Sequence, residues 1–348
     1  MRSRRFAAAL CAAAIVLAGC SGGSAFEDEP PAGEDPTPKA APPVCPLTGL
    51  RPPRGVDLGR PAVAVKIENS PEARPQAGLD AADLVFEEIV EGGITRFMAV
   101  YHCGGIKKAG PVRSARFDDP KIARPFTRLL AYSGSNAIVD AELQRTGMIS
   151  LNEKNGGAAF FRDPPGDLST THNLYVNVEK VRATAEKRRV RSPVEDIFRF
   201  GALPGAAKKA RGVTLHFTAS DTIEYRWQKG SRGKAWYRWE QGAPFMTQAG
   251  VQLSAPNLLV QLVNVDNSSK IVDVAGNPSP DIHLLGTGEA LLFRDGRVVK
   301  ARWKVPSEGA APIYTTKSGE PLRFDRGRIL IELLPSGKGA VKGSFSYR

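Results

Sequence analysis

GLDAADLVFEEIVEGGITRFMAVYHCGGIKKAGPVRSAR, Gly78 to Arg116, carries the pattern from which the fold is read. Leu84 to Val90 and Ile94 to His102 are rich in β-branched, aromatic and aliphatic residues, and Glu91-Gly92-Gly93-Ile94 joins them. Glycine at both central positions suits a two-residue type I′ turn, which needs positive φ twice, so the stretch predicts a hairpin. That turn sets Glu91 opposite Ile94, Val90 opposite Thr95 and Ile89 opposite Arg96. Arg96 then shares a face with Glu87 and Glu91. The remaining residues are apolar on both faces, as in a strand covered from two sides, so a guanidinium here must be paired or hold a ligand. Gly110-Pro111 next turns the chain into Val112-Arg113-Ser114-Ala115-Arg116, whose two arginines face one way if the segment opens a helical turn.

Working outward, Ala62 to Asn69 reads as a strand, and Ser70 to Gly78, with Arg74 between two prolines, as an ordered loop. Asp119-Pro120 opens a short helix through about Phe126, Arg128 to Ser133 is a strand, and Ser135 caps a helix through Arg145 that Gly147 ends. Glu153 to Leu174 is a long glycine- and proline-punctuated segment that reads as a lid, and it contains His172 and Asn173. Asn177 caps a helix to about Val190, basic at its end. Composition shifts to proline, glycine and lysine around Ser192 to Arg211, and beyond it strand-like runs with Gly/Asp turns dominate. The expected fold class is therefore α+β: a mixed sheet with helices in an N-terminal domain, 44–195, then a smaller, mostly antiparallel β domain, 205–348.

The chain opens with Arg2, Arg4 and Arg5, an apolar run from Phe6 to Ala18, and Leu17-Ala18-Gly19-Cys20. A charged head, a short apolar core and small residues before a cysteine predict a lipoprotein signal over 1–20, with Cys20 lipidated. The apolar run is shorter than the roughly 20 residues that span a bilayer. Residues 21–43 are low-complexity and read as an unfolded tether. With three arginines in the leader and five acids against one lysine in the tether, residues 44–348 carry a net +13 of the chain's +12. A basic domain outside the cytoplasmic membrane meets anionic lipids, phosphate polymers and peptidoglycan carboxylates as partners, and not nucleic acid; equally, the charge keeps it soluble. Of four cysteines, Cys45 and Cys103 remain after export, a pair for one disulfide. Closing that loop is worth about 4 kcal/mol in the chain-entropy model.

PLTGL (Pro46 to Leu50), AVAVKIEN (Ala62 to Asn69), ARPQAGL (Ala73 to Leu79), ADLVFEE (Ala82 to Glu88), EGGITRF (Glu91 to Phe97), GPVRSAR (Gly110 to Arg116) and THNLY (Thr171 to Tyr175) resemble, in this order, the YerB-like lipoproteins. Thr171 departs from the proline expected before His-Asn-Leu-Tyr. The resemblance spans nearly the whole exported chain and implies a membrane-anchored envelope protein with an N-terminal and a smaller C-terminal domain. It implies no catalytic mechanism.

Arg74, Arg96, Arg113 and Arg116, with Ser114 beside them, are the candidates for an anion pocket, since guanidinium groups bind phosphate or carboxylate bidentately. The alternative is a structural network, with Arg96 paired to Glu87 or Glu91 and Arg113 and Arg116 to Asp118 or Asp119. His172 with Asn173 is the acid/base candidate, against a role in bracing its loop. Glu87, Glu88 and Glu91 invite a glycosidase carboxylate pair, with Glu87 and Glu91 on one face, although a neighbouring arginine lowers a carboxylate's pKa, the wrong direction for a general acid. Tyr225, Trp227, Trp236, Tyr237 and Trp239 are either a sugar-stacking hairpin or core. No CxxC, HExxH or phosphate-loop spacing for a metal or cofactor occurs. Three readings follow: a lipoprotein that binds an anionic cell-wall polymer or lipid-linked precursor at the arginines, an envelope enzyme using His172 or a hairpin glutamate, and a scaffold for another envelope protein.

Overall fold

β1 (Val63–Glu68), β2 (Leu84–Ile89) and β3 (Thr95–Tyr101) are the centre of a mixed sheet, and all their residues are buried because both faces are covered. The structure, a computed structural model, describes residues 42–167, 169–187, 194, 196–203, 207–272 and 276–348. The leader, Cys20, the tether to residue 41 and the basic run Arg188, Arg189 and Arg191 lie outside the described residues. After β3 come helix α1 (Asp119–Ala123), β4 (Leu129–Ala131), α2 (Ala137–Arg145), β5 (Ile149–Leu151), β6 (Phe160–Arg162), β7 (Leu174–Val176) and α3 (Val178–Lys187). Strand outweighs helix, and the α-helices among the described residues all fall between 119 and 187.

Across the main sheet the order is Ile313–Thr316, Arg297–Val305, Gly286–Arg294, Asn257–Val272, Ile329–Pro335, β2, β3, β1, β4, β5. Strands from both halves of the chain thus share one sheet. Ile329–Pro335 enters it parallel to both neighbours, Asn257–Val272 and β2, and β4 and β5 are also parallel to their partners, while the other pairs are antiparallel. Pro278–His283, a strand with no clear signal in the sequence, pairs with the outer part of Asn257–Val272. A second, antiparallel sheet of Gly212–His216, Ile223–Gly230, Gly233–Glu240 and shorter strands packs on the face bearing Phe97 and Phe293. Phe97 meets Phe245 edge-on with ring centres 5.8 Å apart, and Phe293 meets Trp236 at 5.5 Å. Each such fully buried ring contributes about 1.5–3 kcal/mol.

Two expectations are corrected here. The hairpin turn has three residues, Glu91–Gly93, with Gly92 and Gly93 at φ +72° and +73°, and Val90 N–H bonds to Ile94 O. Ile89 therefore pairs with Thr95 and Glu88 with Arg96, and the one-residue shift moves Arg96 to the face opposite Glu87. The helix over 137–145 is capped by Asn136, whose Oδ1 accepts from Val139 N at 2.9 Å, while Ser135 bonds Asp140 instead.

The aromatic hairpin is core: Tyr225, Trp236 and Tyr237 are at most 1% exposed, and the Arg226 guanidinium lies over the Trp239 ring at 4.4 Å. Cys45 and Cys103 are joined by a disulfide across 58 residues. The expected lid is a short β6/β7 hairpin, braced by Arg162 Nη1 to Asn173 Oδ1 at 2.8 Å and by Asn173 Nδ2 to Asp167 O at 2.9 Å.

Candidate functional site

Residues 109–116 carry two of the four arginines, and their backbone bonding sets where those arginines go. Ala109 N–H bonds Val176 O, Val112 N–H bonds Leu174 O at 2.7 Å, Glu68 N–H bonds Pro111 O at 2.9 Å and Arg113 N–H bonds Lys66 O at 3.0 Å. On the other side Ser133 N–H bonds Arg113 O and Ala115 N–H bonds Gly134 O. The segment is extended and stitched between β1, β7 and the 133–134 loop, so the helical turn expected at Val112 to Arg116 does not form. Gly110 sits at φ +146°, where a Cβ would lie 2.9 Å from Leu174 O, so glycine is required for this approach.

The segment brings Arg113 and Arg116 close enough for both charges to act on Arg96. Pairing of β1, β3 and β2 places Glu68, Arg96 and Glu88 side by side in one row across three strands. Arg96 is 4% exposed, and among the described residues no carboxylate lies within 4.0 Å of it. Its Nη1 donates to Ser114 O at 3.1 Å and its Nε has no acceptor. Burial, and then the positive charges of Arg116 and Arg113, push its pKa down to about 10. Arg116 donates from Nε to Glu91 Oε2 at 2.5 Å and from Nη1 to the same Ser114 carbonyl at 3.4 Å. Glu91 in turn accepts from Ser279 Oγ at 2.5 Å, and Arg116 and Ser279 together hold its carboxyl below the usual range in spite of burial.

Arg113 Nε lies 2.8 Å from Glu68 Oε2 but without the angle of a hydrogen bond, so the pair is held by charge alone. His172 Nδ1 reaches the same oxygen at 3.0 Å. An ionised carboxylate only accepts, so Nδ1 carries the proton and Nε2 is the free acceptor of the ring. Below this layer Lys66, fully buried, contacts Glu88 Oε1 and lies 2.6 Å from Asp119 Oδ1, and Asp119 Oδ2 accepts the Arg116 N–H at 2.8 Å. The cluster balances four acids, Glu68, Glu88, Glu91 and Asp119, with Lys66, Arg96, Arg113 and Arg116. The balance is uneven, because Lys66 takes two carboxylates and Arg96 takes none.

Of the expected site residues, Arg96, Arg113, Ser114, Arg116, Glu91 and His172 come together. Arg74 does not, because its Nη2 bonds Asn69 O at 2.8 Å and contacts Glu240. Asn173 is spent on its loop. Glu87 faces the other side of the sheet, where Arg238 grips it bidentately with Thr95 and Asn69 as further donors. Arg238, Glu332 and Tyr225 join that network, with Tyr225 Oη donating to Glu332 Oε1 at 2.6 Å. Glu87 and Glu91 therefore do not form a glycosidase pair: they lie on different structural layers, each neutralised by its own arginine. The residues that sequence spacing missed are Lys66, whose partners Glu88 and Asp119 lie 22 and 53 residues away, and Glu68, whose partner His172 lies 104 away.

The family profile described as "Protein of unknown function (DUF3048) N-terminal domain" matches residues 47–191, and that described as the DUF3048 C-terminal domain matches 213–331. The chain is 28% identical over 298 residues to the Bacillus subtilis (strain 168) protein described as "Putative lipoprotein YerB", covering 83% of this chain and 86% of that one. A crystal structure of the YerB protein from Bacillus subtilis superposes with a TM-score of 0.69 at 25% identity, over 87% of this chain and 99% of the other. The arginine-bearing strings EGGITRF and GPVRSAR and the THNLY string fall within the first matched region. The chain belongs to the DUF3048 family, whose N-terminal and C-terminal domains it carries in sequence order.

Proposed function

We propose that this chain is an envelope lipoprotein, anchored through Cys20 on the outer face of the cytoplasmic membrane, that binds an anionic phosphate- or carboxylate-bearing ligand at Arg96, Arg113 and Arg116. One observation carries the reading: Arg96 is a nearly buried guanidinium whose one hydrogen bond among the described residues goes to a carbonyl, with two further arginines close by. Glu68 and Glu88 flank Arg96 across the sheet without bonding it, and an oxyanion hydrogen-bonded to the guanidinium would be a stronger partner than that carbonyl. The lipoprotein part rests on the cysteine after Leu17-Ala18-Gly19 and on the name of the Bacillus relative. Among the described residues no helix is long and apolar enough to cross a membrane.

The test is calorimetric titration of the folded unit, residues 42–348, with inorganic phosphate and pyrophosphate at low and high salt. Arg113→Ala/Arg116→Ala serves as the control. Binding that weakens with salt and falls at least ten-fold in the double variant supports the site. A folded wild type that binds neither anion refutes it.

A second reading, an envelope enzyme acting on a glycan or lipid phosphate, is favoured by the Glu68–His172 contact. Glu68 fixes the ring so that Nε2 is the nitrogen able to take a proton. Product analysis of muropeptide and lipid-phosphate mixtures with wild type and His172→Ala decides it, and identical, unchanged mixtures would rule it out.

A further inference from the structure

A groove of about 460 Å³ begins at Phe117, next to Arg116, and none of the clustered arginines lines it. Its size is that of a small-molecule site. Its walls are Phe117 and Lys121 on one side and Ile282, Leu284, Leu285 and Val305 on the other. Both walls are direct continuations of the segments that hold Arg116. Phe117 is the next residue in the chain, and Ser279, which bonds the carboxylate paired with Arg116, belongs to the strand that runs on through Ile282. Ile282 N–H donates to Asp118 Oδ2 at 2.8 Å, which ties the two walls together.

The rim of the groove is charged but self-paired. Lys121 Nζ lies 2.7 Å from Asp281, and Arg145 takes both Glu142 and Glu308. Three acids against two bases make the groove itself a poor place for an anion, whereas its floor is apolar and Leu285 is 63% exposed. Arg96, with no carboxylate within 4.0 Å among the described residues, thus lies one chain segment away from an apolar groove, and a free-standing anion would engage only the arginines.

We propose that the two form one site for an amphiphile. The ligand is a phosphate carried on a hydrocarbon or isoprenoid-type chain, its head at Arg96, Arg113 and Arg116 and its tail along Phe117, Leu284 and Leu285. The inference rests on the anion reading above and adds the tail to it. A soluble anionic polymer would use the arginines and leave the groove empty.

The experiment titrates residues 42–348 with methyl, hexyl and decyl phosphate below their aggregation limits, and with decanol. Leu285→Asp, at an exposed position, and Phe117→Ser probe the tail, and Arg113→Ala/Arg116→Ala probes the head. Affinity should rise with chain length, by at most about four-fold per methylene buried, and then level off as the groove fills. The groove variants should weaken decyl phosphate at least ten-fold and leave methyl phosphate unchanged. The arginine variant should weaken both. Methyl phosphate binding as tightly as decyl phosphate would overturn the tail site and leave the anion site standing. Binding of neither would overturn the anion site itself. Decanol binding as tightly as decyl phosphate would make the groove an independent apolar site and overturn the joint one.

Discussion

Glu68 Oε2 is the point at which His172 meets the arginine cluster, 3.0 Å from the imidazole Nδ1 and 2.8 Å from Arg113 Nε. The carboxylate orients both groups and also competes with any incoming anion for Arg113. Glu68→Gln should therefore raise the affinity of the cluster for pyrophosphate several-fold, since a fixed negative charge beside the ligand is removed. Calorimetry on the two proteins checks this, and a loss of affinity would mean that orientation of Arg113 outweighs competition.

Arg96→Met separates stability from binding. Arg96 makes no ion pair within 4.0 Å among the described residues, so replacing it with an apolar side chain of similar length relieves its burial but removes the charge facing Glu68 and Glu91, and the stability of the ligand-free protein should change by less than about 3 kcal/mol. The same change should abolish phosphate binding. Urea melts beside the titration test the pair of outcomes, and a large loss of stability would show that Arg96 is a structural tie.

Asp118 is a source of pH dependence. Burial pushes its carboxyl up to about 6, against the partly offsetting charge and hydrogen bond of Lys121. A carboxyl whose folded pKa lies above its unfolded value of 3.8 stabilises the fold below about pH 4, and that stability is lost as pH rises through about 6. The stability advantage of wild type over Asp118→Asn should thus shrink by about 3 kcal/mol between these limits. Denaturation midpoints of both proteins at pH 4, 5, 6 and 7 report it.

On the other face of the sheet, Arg238 holds Glu87 ionised, while burial and the charge of Glu87 push the Glu332 carboxyl well upward, so Glu332 keeps its proton. Glu332→Gln should then cost less than about 1 kcal/mol, and Arg238→Met about 3–5 kcal/mol, because it strands the Glu87 charge. Chemical denaturation gives both numbers. Equal costs would mean that the proton is shared differently.

The existence of the strands was legible because their apolar runs are long and glycine or proline bounds them. Register was not. Gly92-Gly93 fits a two-residue turn as well as the three-residue turn that forms, and that single residue decides whether Arg96 faces Glu87 or the arginines. Val112 to Arg116 has residues that suit a helix, but its carbonyls and amides are claimed by β1 and Leu174, a tertiary bond pattern with no local trace. Arg113, Arg116 and His172 were found because arginine and histidine are conspicuous in such surroundings. Glu68 and Lys66 hid inside a strand that otherwise reads as core, and Arg238 hid among aromatics where a charge is easily taken for surface.

Ile329–Pro335 fills the slot between β2 and Asn257–Val272, parallel to both. During synthesis from the N-terminus, the hydrogen-bonding edge of β2 stays open until Ile329–Pro335 has emerged, so the first half waits with a bare sheet edge. Closure then needs a contact between residues about 245 apart in sequence, the kind that slows folding most. The central sheet is therefore committed to late closure, and a variant lacking residues 329–348 should leave an edge that recruits a second chain in place of its own.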